Sequence, residues 1–106
     1  MGNITIMQGD QYSIPFTGTE DGEPLDTSNI EEIEFCIGDL RKCWPGAVTR
    51  DENGDFLFPL TQQETFKMYR TQQTQVRVKY VDGAVTVIGG GAGTIEVKPS
   101  NSKVVL

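Results

Sequence analysis

Gln75-Val76-Arg77-Val78-Lys79-Tyr80-Val81-Asp82-Gly83-Ala84-Val85-Thr86-Val87 is the stretch that decides the fold of this chain. Val76, Val78 and Tyr80 alternate with Arg77 and Lys79, Asp82-Gly83 is a strong hairpin signal, and Val85 and Val87 resume the alternation beyond it. A period of two sends successive side chains to opposite faces of a sheet, so this is an antiparallel hairpin with one apolar face. Downstream, the glycines from Gly89 to Gly93 interrupt the pattern, and Ile95 and Val97 close it.

Upstream the same period recurs. Ile4 and Ile6 flank Thr5, and Tyr12, Ile14 and Phe16 alternate with Ser13, Pro15 and Thr17. Pro15 cannot donate to a ladder, which places its strand at an edge or at a bulge. Ile33, Phe35 and Ile37 alternate with Glu32, Glu34 and Cys36, giving one buried and one acidic or solvent face, while Ile30 breaks parity and implies an irregularity near Asn29. Turn chemistry stands at residues 19–24, at Gly38-Asp39, at Trp44-Pro45-Gly46 and at residues 51–55, between the expected strands Ala47–Arg50 and Phe56–Leu60. The one helical cue is Thr61-Gln62-Gln63-Glu64, a capping box that predicts one or two turns ending before Arg70, with Phe66 tucked onto the core.

These runs predict an all-β, immunoglobulin-like antiparallel β-sandwich of seven or eight strands with one short helical turn, spanning residues 1–100, and a C-terminal tail over residues 101–106. The expected core is Ile14, Phe16, Ile33, Phe35, Ile37, Phe56, Phe58, Val76, Val78, Tyr80, Val85, Val87, Ile95 and Val97. A chain of 106 residues suits one such core.

The composition argues against most chemistry. There is no histidine, so acid–base work near neutral pH and nitrogen ligation of zinc lose their usual side chain. The acidic loop at residues 51–55 has its glycine at the wrong position for a calcium loop and reads as a hairpin turn. Gly89–Gly93 lacks a Gly-Lys-Ser/Thr ending and precedes a strand, so it reads as a flexible loop or bulge and not as a phosphate cradle. No enzyme activity, cofactor or metal is expected.

The formal net charge of −6 repels phosphate backbones, which sets nucleic acid aside as a partner. No apolar run is long enough for a membrane-spanning helix, and the N-terminus shows neither a basic leader nor an apolar signal core, so a cytoplasmic setting is expected. Cys36 and Cys43 are then expected as free thiols, although they would face each other if Asp39-Leu40 formed a two-residue hairpin. Trp44 reads either as a lid on the core or as an interface residue, and Tyr69 as an interface residue.

Several phrases stand in order along the chain: Ile4-Thr5-Ile6-Met7-Gln8-Gly9-Asp10 into Tyr12-Ser13-Ile14-Pro15-Phe16, Asp21-Gly22-Glu23-Pro24-Leu25, Leu60-Thr61-Gln62-Gln63-Glu64-Thr65, and Thr94-Ile95-Glu96-Val97-Lys98-Pro99-Ser100. This order resembles small structural proteins of phages and prophages of gut Firmicutes and, more distantly, the N-terminal immunoglobulin-like domain of phage baseplate upper proteins. The resemblance implies a non-enzymatic tail, baseplate, neck or capsid accessory, present in the bacterial host cytoplasm during assembly and then in the virion. Its partners would be other virion proteins or further copies of itself, with no membrane partner. The alternative is a carbohydrate- or cell-surface-binding sandwich using Trp44 with Tyr69 or Tyr80. Contact is expected at strand edges and loop tips, above all at an open edge carrying Ile95 and Val97 with the apolar tail Val104, Val105 and Leu106.

Overall fold

The computed structural model describes residues 3–20, 23–89, 93–102 and 104–106. Among these the chain forms eleven strands and one helix: β1 (Asn3–Met7), β2 (Tyr12–Phe16), β3 (Thr19–Glu20), β4 (Glu23–Pro24), β5 (Ile30–Ile37), β6 (Leu40–Trp44), β7 (Thr49–Arg50), β8 (Phe56–Leu60), α1 (Gln62–Phe66), β9 (Arg70–Tyr80), β10 (Val85–Gly89) and β11 (Thr94–Lys98). The count exceeds the expected seven or eight because the two-residue strands β3 and β4 lie within the expected turn at residues 19–24, and β6 stands between two expected turns where no strand was expected.

The larger sheet runs β1-β11-β9-β5-β6, with β10 also paired to β9, and the smaller runs β2-β8-β7. Strand β9, eleven residues long, is the spine: one edge pairs with β5, and the other takes β10 near its end and β11 near its start. From Gly89 to Thr94 the chain advances 94 − 89 = 5 positions while their partners Val76 and Gln73 differ by only 76 − 73 = 3. The β9–β10 pairing shifts register between Val87 and Gly89, while residues 90–92 of the glycine-rich stretch, like Asp21-Gly22 of an expected turn, lie outside the described residues.

The two sheets enclose one core. Phe35 of β5 meets Phe16 of β2 edge-on at 4.8 Å and Phe56 of β8 at 5.3 Å between ring centroids, so aromatic contacts cross from sheet to sheet. The expected residues Ile14, Phe16, Ile33, Phe35, Ile37, Phe56, Phe58, Val76, Val78, Ile95 and Val97 are buried, joined by Ile6, Val48, Leu60 and Met68. The architecture is an all-β sandwich with a short helix. It is not wholly antiparallel, because β1 pairs with β11 in parallel, Ile4 beside Ile95 and Ile6 beside Val97.

Local chemistry explains the connections. Pro15 lies in β2, an edge strand of the small sheet, where its missing donor costs no ladder bond across the sheet. The break in β5 parity lies between Ile30 and Glu32, where the β9 register slips. Gly18 permits two loops to touch, since a Cβ there would stand 1.7 Å from the Gly54 carbonyl oxygen. Arg50 fastens the same loops by donating to the carbonyls of Gly18, Leu25 and Gly54. In the acidic turn the Asp51 carboxylate accepts from the backbone of Asn53 and Asp55, so its oxygen is engaged within the turn itself.

The capping box forms as expected, Thr61 Oγ1 accepting from the Glu64 N–H and Glu64 Oε1 from the Thr61 N–H. The residue that seats α1 differs from the expectation. Phe66 is only half-buried, whereas Thr65 is fully buried, its hydroxyl donating to the Asp10 carbonyl and accepting from the Gly9 N–H. A pair of hydrogen bonds to the β1–β2 turn holds a one-turn helix in register more tightly than a ring on its flank.

Candidate interaction surfaces

Alternation places Glu32, Glu34 and Cys36 of β5, Arg41 and Cys43 of β6, and Gln75, Arg77 and Lys79 of β9 on the outer face of the large sheet. Glu34 sits opposite both Cys43 and Arg77. Its carboxylate accepts from Arg77 Nε at 2.7 Å and Arg77 Nη2 at 2.9 Å, and from Arg41 Nε on the other side. The two guanidinium groups cover it, leaving the residue 8% exposed, and they hold its carboxyl at about 2, their hydrogen bonds outweighing the opposing effect of burial. Nothing in the strand pattern signalled this, because alternation assigns Glu34 a face without saying what long side chains from neighbouring strands lay over it.

Cys36 and Cys43 are both free thiols on this face. The hairpin loop is Gly38-Asp39, with Gly38 at φ +56°, so Ile37 pairs with Leu40 and Cys36 with Arg41. The cysteines are therefore diagonal neighbours and not a facing pair. Burial pushes both thiols up, the Glu34 carboxylate adding to the effect, and this keeps them in the neutral form.

The expected burial of Val85 and Val87 is overturned. They are 56% and 55% exposed, and Tyr80 is half-buried. A two-residue loop at Asp82-Gly83 would set Val85 against Tyr80 and Val87 against Val78. The loop instead has three residues: the Tyr80 N–H donates to the Ala84 carbonyl at 2.8 Å, Gly83 adopts φ +95°, and Asp82 Oδ1 accepts from the Ala84 N–H. Val85 then opposes Lys79 and Val87 opposes Arg77, because a slip of one residue moves every side chain to the other face. The two valines join Glu34 and its arginines on the outer face, with Val81, 64% exposed, in the loop beside them.

Of the other expected contact residues, Ile95 and Val97 do not lie on an open edge. Strand β11 is flanked by β9 and β1, and both side chains are buried in the core. Trp44 packs edge-on against Phe56 at 5.4 Å, half-buried at the border of the core, which is the lid arrangement. Tyr69 is 59% exposed, and the Arg70 guanidinium stands over its ring at 5.0 Å. Trp44 opposes Ile33, which opposes Val78, nine positions along the chain from Tyr69 (78 − 69 = 9), so their backbone positions are separated by about 30 Å along the strand direction, too far for a common platform. Val104, Val105 and Leu106 are exposed, and the tail hooks onto α1 through Gln62, whose side chain exchanges two hydrogen bonds with the Leu106 backbone.

Among the described residues no helix is long and apolar enough to cross a membrane. No family model, no curated protein and no solved structure matches this chain.

Proposed function

We propose that this chain is a non-enzymatic structural or accessory protein of a phage or prophage, working by assembly with other virion proteins or with itself. The observation that carries the reading is the grouping of Val81, Val85 and Val87 in the solvent, beside the charged face of Glu34, Arg41 and Arg77, on a sandwich with its own buried core. Exposed apolar side chains gathered on one hairpin mark contact surfaces. The strand order β1-β11-β9-β5-β6 against β2-β8-β7 is compatible with an immunoglobulin-like arrangement, and the order of short phrases along the chain supports a virion setting.

The test is particle composition. Epitope-tagged chain produced in phage-yielding bacterial cells should co-purify with particles at a fixed ratio. Recovery entirely in the soluble, particle-free fraction would overturn the virion role, and strong signal on a glycan array would favour the carbohydrate-binding alternative.

A further inference from the structure

Among the described residues, each exposed strand edge of the two main sheets other than β10 carries at least one guard. On β6, Arg41 and Lys42 stand along the edge; β2 carries Pro15; β7 has only two residues; and on β1 the Met7 N–H is capped by Asp10 Oδ2 at 2.8 Å. Charge, proline, shortness and capped donors are the devices that keep a sheet edge from pairing with another chain. Strand β10 has none of these along Val85–Val87, and its one irregularity is the register shift against β9 between Val87 and Gly89. It is rich in β-branched residues, residues 83–95 contain no Asp, Glu, Lys or Arg, and among the described residues it pairs with β9 alone.

The register says which backbone groups stand free. Tyr80 and Ala84 form a bonded pair, so by the alternation of an antiparallel ladder Val78 and Thr86 form the next. Val85 and Val87 are the intervening residues, and their N–H and C=O groups point away from β9. Two such strands related by a two-fold axis through Thr86 are complementary. Val85 of each copy faces Val87 of the other as a bonded pair, giving four backbone hydrogen bonds, and Thr86 faces Thr86 across the axis. The valines meet valines on the outer face, and cross-strand pairs of this kind stabilise sheets. In a chain of net charge −6, an uncharged edge is also where two copies approach with least repulsion.

We infer that β10 is a self-pairing edge, joining two copies of this chain antiparallel so that their large sheets become one. This deepens the assembly reading by naming the surface and the partner.

Sedimentation velocity of the full chain up to about 1 mM should show a reversible dimer. Val87→Pro removes the outward donor without touching a β9 bond and deletes two bonds by symmetry, so it should weaken dimerisation at least about tenfold. Deleting residues 101–106 should leave the dimer intact. Thr86→Cys should give a covalent dimer on mild oxidation, whereas Val85→Cys, too far from its own symmetry mate, should not. A wild-type monomer at all concentrations, or no cross-link through Thr86→Cys, would overturn the inference, as would a dimer unaffected by a folded Val87→Pro. Failure here with the chain still present in particles would leave the virion role standing; a dimer with no particle incorporation would do the reverse.

Discussion

Tyr80 and Ala84 are joined by a 2.8 Å bond from the Tyr80 N–H to the Ala84 carbonyl, and this closure sets the face of everything after it. It makes the loop three residues long, turns Val85 and Val87 to the side of Lys79 and Arg77, and leaves their backbone groups facing away from β9. One turn thereby converts two apolar residues from core into surface. The loop depends on Gly83 at φ +95° and on the Asp82 carboxylate that caps the Ala84 N–H.

Gly83→Ala isolates the backbone part of this device. A Cβ at Gly83 meets nothing within 4 Å, so any cost comes from the left-handed conformation alone, about 1–2 kcal/mol. Urea unfolding of the two proteins checks it. An unchanged midpoint would mean that Gly83 does not hold the three-residue loop.

Phe35→Ala probes the centre of the sandwich. The ring is 1% exposed and touches Phe16 and Phe56 of the opposite sheet, so its removal should cost about 3–5 kcal/mol. A midpoint that hardly moves would contradict the packing of the two sheets on each other.

Most of the strands and most of the core were legible in the chain, because alternation reports a local geometry that the side chains themselves impose, although β6 and the short β3 and β4 were not. What was not legible has particular causes. The phase of β10 hung on one loop residue, and loops of two and three residues share the same Asp-Gly signature. The parallel pairing of β1 with β11 joins opposite ends of the chain, so no neighbouring residue announces it, and Ile95 and Val97 looked like an edge for that reason. Glu34 looked solvated because its partners Arg41 and Arg77 come from different strands.

Glu34→Gln tests that cluster through pH. The folded carboxyl lies at about 2, below its ordinary value near 4.5, so its stabilisation is fully present above pH 4.5 and is lost as pH falls toward 2. At pH 7 the substitution should cost about 1–3 kcal/mol, held down by the exposed ends of both arginines. Unfolding free energies of both proteins from pH 7 to pH 2 should differ by a constant amount above pH 4.5 and converge below it. A difference that does not change with pH would show that the carboxylate charge contributes nothing.

Amide hydrogen exchange at Val85, Thr86 and Val87, followed from micromolar to near-millimolar chain, measures association at β10 most directly. The Thr86 N–H, bonded to Val78 within the sheet, should be protected at every concentration. The Val85 and Val87 N–H groups should exchange freely in dilute solution and become protected as the concentration rises. Free exchange of both at all concentrations would contradict the account.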